Sequence, residues 1–172
     1  MTEWLSDERR AGLLAICNTV VPAIKRADDP NGFWARQATD VGTDQAIIGI
    51  LATLPAEMRD GLLGLIDGLV GQGIVSSSQL SREQILSRTM LLGPAAGAGV
   101  GVLSNLVRLV TYGLPDATGQ NPFWKQFGYP GPTSLPPNVP KPIKPVVPAG
   151  DVTMKADVVV VGSGSGGGGT RR

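Results

Sequence analysis

Residues 155–172 read KADVVVVGSGSGGGGTRR, and the fold assigned to the chain turns on whether this stretch opens a nucleotide-binding sheet or is a flexible tail. Val158 to Val161 form an unbroken apolar run. A strand without polar alternation belongs inside a parallel sheet whose two faces are covered by helices. Gly162, Gly164 and Gly167 follow at once in G-x-G-x-x-G spacing. In that order the first glycine allows a tight turn, the second admits a pyrophosphate to the backbone, and the third lets helix pack on strand. The phosphate would rest on the N–H groups that begin the next helix. GSGSGGGG is also what a flexible linker looks like. The valines favour the fingerprint, because a linker needs no run of buried-type residues.

Working back from that stretch, GYPGPTSLPPNVPKPIKPVVP (128–148) carries a proline every two or three residues. Such a segment favours extended polyproline II and acts as a semi-rigid strap between folded parts. Its PxxP spacings would also suit an SH3-type groove. Just before it, NPFWKQFG (121–128) reads as one short helix, with Asn121 as cap, Pro122 at the first helical position and Gly128 at the end. Phe123, Trp124, Phe127 and Tyr129 are half of the aromatics in a chain with three Trp, two Tyr and three Phe. Aromatics concentrated in this way pin a loop to a neighbouring surface.

Residues 5 to 112 read as helical. Ser6 caps a first helix with Asp7 and Glu8 near the positive end of its dipole. Leu13, Cys17, Val20, Val21 and Ile24 recur along it at helical spacing. A second segment, Gly32 to Leu54, breaks near Val41–Thr43, and its later half, AIIGILATL, is apolar enough to be mostly buried. Pro55 suits the first position of a third helix, whose stripe is Leu62, Leu65, Ile66, Leu69 and Val70. Gly61, Gly64, Gly68 and Gly71 share a face of that helix, a sign either of close approach to a partner helix or of a tolerant surface. Ser81 and Gln84 make an S-x-x-Q capping box for a fourth helix, which Pro94 ends or kinks. Leu91 to Val107 carries no charge over 17 residues. That is the lower limit for a membrane span, although four glycines, a proline, Ser104 and Asn105 favour a buried helix over Ala98 to Tyr112. The whole suggests a small bundle of four or five helices.

Composition narrows the chemistry. The 172 residues carry 15 basic and 14 acidic side chains, a net charge of +1, with no cluster of the kind that nucleic acid would need. There is no histidine and only one cysteine, Cys17, so zinc sites and nucleophilic triads have almost nothing to work with. Cys17 falls in the apolar stripe and reads as a core residue. The lone cysteine and the acidic, polar start MTEWLSDERR, unlike a signal peptide, point to a cytoplasmic location.

KADVVVVGSGSGGG resembles the opening of the flavin-binding domain of glucose–methanol–choline (GMC) oxidoreductases. Helices first, then NPFWKQFGYPGP, then a proline strap into the fingerprint, is similar to the N-terminal layout of the long-chain fatty alcohol oxidase branch. The resemblance spans about residue 5 to Gly168. It implies FAD as cofactor, Gly162, Gly164 and Gly167 lining its pyrophosphate, and oxidation of a primary or long-chain alcohol by hydride transfer to flavin. Against that pattern, ten residues follow Gly162, GGTRR is too short for the phosphate-binding helix, no acidic residue stands about 20 positions on, and no histidine is present for catalysis. The expected organisation is therefore a mainly α chain: a helical domain over 1–113, an aromatic-anchored Pro-rich linker over 114–155, and a truncated Rossmann-type start over 156–172. The chain is expected to be inactive alone, with a separately encoded flavoprotein remainder as possible partner. Two rivals stand beside this: a helical interaction subunit that donates its strand to a separate flavoprotein, and a helical module with a Gly-rich tail that touches a membrane through 91–107. No metal site and no nucleic-acid partner are expected.

Overall fold

The computed structural model describes residues 4–116, 118–131 and 147–162. The chain divides into two compact units, Met1–Thr133 and Ser134–Arg172. The first is mainly helical, with α1 (Asp7–Val20), α2 (Thr43–Thr53), α3 (Ala56–Gly71), α4 (Gln79–Met90) and α5 (Pro94–Gly113), plus 3-10 turns at Ala38–Val41 and Trp124–Phe127.

Helix α1 begins as its sequence predicts. Ser6 is extended, and its Oγ accepts from the Arg9 N–H at 3.2 Å. The helix stops at Val20, because Pro22 forces the residue before it out of helical geometry, and Val21 has φ −128°. The predicted stripe therefore ends early: Leu13, Cys17 and Val21 are buried, whereas Ile24 lies outside the helix and is exposed.

Residues 22–37 then make an irregular excursion where a helix is predicted from Gly32. The cause is local. The Asp29 carboxylate accepts from the backbone N–H groups of Phe33, Trp34 and Ala35 at 2.7, 2.9 and 3.0 Å. It thereby offers those donors a partner that competes with a helix. Gly42 (φ 74°) separates the 3-10 turn from α2. Within α2 the apolar run is amphipathic and not mostly buried: Ile47 and Leu51 are fully enclosed, while Gly49, Ala52 and Thr53 face out.

Pro55 precedes α3 as its cap residue and does not occupy its first turn. The buried row of α3 is Leu63, Ile66 and Leu69, with Leu62, Leu65 and Val70 half-buried beside it. The face carrying Gly61, Gly64, Gly68 and Gly71 has open space where each Cβ would stand, which decides for a tolerant surface. Close approach is made elsewhere. A Cβ on Gly12 of α1 would lie 2.5 Å from Val70 Cγ2, and one on Gly99 of α5 would lie 2.9 Å from Leu65 Cδ2. These two glycines let α1 and α5 settle against α3.

Helix α4 starts three residues before the predicted capping box. Ser78 has the extended backbone (ψ 162°) and its Oγ accepts from Ser81 N–H, so Ser81 and Gln84 fall inside the helix. Gly93, at φ 151°, supplies the sharp corner that leaves Pro94 free to open α5 at its first position. Helix α5 is thus four residues longer at its start than predicted, and it buries Val100, Leu103, Val107, Val110 and Thr111. Among the described residues it is the one helix long and apolar enough to cross a membrane. Helices α1 and α5 each pack against all of the other four and together form the middle of the bundle.

The second unit does not show the predicted strand. Among its described residues, 147–162, there is no strand. Val158, Val159, Val160 and Val161 are 77, 77, 50 and 95% exposed. A strand exists by pairing its N–H and C=O groups with a neighbour, and none of the described residues supplies one. The valine pattern is that of a parallel-sheet strand, but the partner that would make it one is not among these residues.

Candidate functional site

The predicted phosphate turn lies partly within the described residues. Gly162 has φ 114°, a conformation that favours glycine. Gly164 and Gly167 lie outside the described residues. A pyrophosphate cradle needs successive N–H groups and a helix N-terminus behind them. Gly162 alone supplies less than that, and the rest of the predicted turn lies outside the described residues.

Cys17 is fully enclosed in the bundle core, and burial first, then the charge of Asp44, push its thiol up to about 12. At neutral pH it stays a protonated, packed side chain and offers no thiolate. No group of three or more acidic or cysteine side chains that could hold a metal occurs among the described residues.

The aromatic segment is where a predicted feature gains geometry. Its helix is the short 3-10 turn Trp124–Phe127, closed by Gly128 at φ 72°. Asn121 does more than cap that turn. Its Oδ1 accepts from Phe123 N–H at 2.9 Å, while its Nδ2 donates to the carbonyls of Thr111 and Leu114, both at 2.8 Å. Trp124 Nε1 donates to the Tyr112 carbonyl at 2.8 Å. The last carbonyls of a helix have no partner of their own, and here three at the end of α5 are satisfied by a segment about ten residues on. Phe123 is buried between Tyr112 and Phe33, edge to face at 5.0 and 5.3 Å. Gly131 lets the chain pass the Trp124 ring, since a Cβ there would stand 3.3 Å from it. The predicted pinning of this loop is thus made on the helical bundle, while Phe127 and Tyr129 remain exposed.

Two concavities escape sequence reasoning. A shallow apolar groove of about 480 Å³ runs between α3 and α5, lined by Met58, Leu62, Leu65, Ala96, Gly99 and Val102, with Met58 and Val102 exposed at its edge. The one sequence signal for it is the small residues at the start of α5. A second hollow lies over the 22–37 excursion, whose signal is the turn sequence Asp28-Asp29-Pro30-Asn31-Gly32. Comparison with known families, curated proteins and solved structures returns no match.

Proposed function

We propose that this chain is the N-terminal portion of a GMC-like, FAD-dependent alcohol oxidoreductase and has no activity by itself. The observation that carries the reading is the order of residues 158–167: a four-valine run followed directly by Gly162, Gly164 and Gly167. The exposure of those valines supports it, because a run of this kind gains its stability only when a sheet covers it. In the assembled protein these three glycines line the FAD pyrophosphate, and the flavin accepts hydride from a primary or long-chain alcohol. The helical unit then serves as a docking body, and the proline-rich segment spans from it to the flavin domain.

The test is twofold. The coding sequence after Arg172, read in all frames, should contain a helix-forming segment and an acidic residue about 20 positions beyond the glycines. Absence of any flavoprotein remainder overturns the reading. Purified chain titrated with FAD should show no saturable binding, and near-stoichiometric flavin in the isolated protein refutes the claim that it needs a remainder.

A second reading, favoured by the open groove between α3 and α5, is an interaction subunit that docks on a separate flavoprotein chain. Co-purification with a flavoprotein lacking its own first strand distinguishes it from the first.

A further inference from the structure

Three arginines in the described residues carry a buried side-chain nitrogen without a hydrogen-bond partner: Arg36 Nη1, Arg59 Nε and Arg82 Nε. Two of them are held by other contacts. Arg59 lies 3.6 Å from the Asp60 carboxylate and over the Trp4 ring. Arg82 donates through Nη2 to the Val75 carbonyl at 3.1 Å. Among the described residues Arg36 has neither an ion-pair partner nor an acceptor for any of its nitrogens. Arg36 is half-buried as a whole, Nη1 being the nitrogen that is enclosed, and an enclosed guanidinium nitrogen without an acceptor is costly, because its lost hydration is not replaced.

Arg36 lines a hollow of about 210 Å³, and the other walls are apolar or aromatic: Val20 at the end of α1, Pro22 and Ile24, Phe33 and Trp34, and Tyr112 of α5. The walls are well fixed. Ile24 N–H donates to the Trp34 carbonyl at 2.6 Å, tying the two limbs of the excursion together. Asp29 holds the backbone of Phe33, Trp34 and Ala35. Phe33 is braced edge to face by Phe123. The neighbouring cation, Arg26, is already neutralised by Asp28 through bonds of 2.7 and 2.8 Å, and it stacks over Trp34 at 5.0 Å. Among the described residues the charge of Arg36 is therefore the one without a counterion at this hollow.

We propose that this hollow is a binding site for a small monocarboxylate with an apolar body, a short aliphatic or single-ring acid, whose carboxylate pairs with Arg36. The chemistry follows from the walls. Arginine presents donors in a planar fork that matches a carboxylate, and the aliphatic and aromatic side chains accept a hydrocarbon body but no second charge. The volume equals that of roughly seven waters at ~30 Å³ each, below the usual range for drug-sized ligands of about 300–1,000 Å³. The site is independent of the flavoprotein reading, since none of its residues belongs to the glycine turn or to the groove between α3 and α5.

The experiment compares 3-phenylpropionate with its neutral isostere 3-phenylpropan-1-ol by titration calorimetry on the full chain. The Arg36 Nε–Hε resonance is followed by NMR in parallel. The acid should bind with a dissociation constant of about 1 mM or tighter, at least tenfold more tightly than the alcohol, and should shift the Arg36 resonance. Arg36→Gln should remove the preference for the acid. Equal binding of acid and alcohol, no saturable binding of the acid, or binding that leaves the Arg36 resonance unmoved each overturns the proposal. The two ligands and the resonance decide the matter on the wild-type protein, even if the variant folds poorly.

Discussion

Adding the same methyl group to two helices should change stability in opposite directions. In Gly12→Ala the new Cβ would stand 2.5 Å from Val70 Cγ2 and 3.0 Å from Ile66 Cγ2. Ordinary carbon contacts are about 3.5–4.0 Å, so the overlap with Val70 is roughly 1 Å. Val70 is β-branched and in a helix has essentially one χ1 rotamer, so α1 must move away from α3 or the valine must take a strained rotamer. Overpacking of this size costs about 1–3 kcal/mol. Replacing Gly by Ala inside a helix returns about 0.8–1 kcal/mol. The net expectation is a loss of about 1 kcal/mol. In Gly64→Ala and Gly68→Ala nothing stands within 4 Å of the new methyl, so only the propensity gain remains, and each should stabilise by about 0.5–1 kcal/mol. Urea unfolding measures both. The midpoint should fall for Gly12→Ala and rise for the other two, with unchanged slope. Val70→Ala combined with Gly12→Ala should recover much of the loss, giving a coupling above about 0.5 kcal/mol between the two sites. If Gly12→Ala is as stable as Gly64→Ala, the close packing of α1 on α3 through Gly12 is wrong.

Asn121→Ala should cost about 2–3 kcal/mol, because it leaves the Thr111 and Leu114 carbonyls without their donor; limited proteolysis should then cut first between residues 114 and 131. Thr43 and Thr111 share a buried hydroxyl–hydroxyl bond of 2.9 Å. Thr43→Val or Thr111→Val alone should lose about 1–3 kcal/mol by orphaning the other hydroxyl, whereas the double variant should be close to wild type in thermal unfolding. The hydrogen bond from Arg9 is the main cause holding the Asp67 carboxyl below the usual range. A carboxyl with a lowered folded pKa stabilises above its unfolded value of ~3.9 and loses that contribution as pH falls through the folded value. The stability gap between wild type and Asp67→Asn should therefore be constant above about pH 5 and begin to shrink below ~4; a gap that stays the same at every pH down to acid unfolding refutes the pairing.

The helices could be read in advance because their signals are local. Ser6 caps α1 from three residues away, and the apolar periodicity of α3 and α5 is written within each segment. Their edges were harder to place, since competing local signals lie close together. Ser78 and Ser81 are both possible caps, and which one acts depends on where the preceding turn at 72–77 leaves the chain. The helix predicted from Gly32 fails because one side chain, Asp29, collects three backbone donors, an arrangement that hydropathy does not report.

The sequence by itself determined that the chain is mainly helical, that Cys17 is a core residue, and that the aromatic cluster Phe123, Trp124, Phe127 and Tyr129 pins its segment. Each of these depends on side-chain type and spacing within one segment. Only the tertiary structure decided that Phe123 and Trp124 are the two that are buried, and which glycines matter. Gly64 and Gly12 look alike in the sequence, but a Cβ meets empty space at one and Val70 at the other. It likewise decided that Arg36 has no counterion among the described residues beside an apolar hollow, because pairing depends on what folding brings near and not on composition. The valine run before Gly162 marks the same boundary from the other side: its pattern is that of a strand, but a strand is a relation between two chain segments, and no described residue pairs with it.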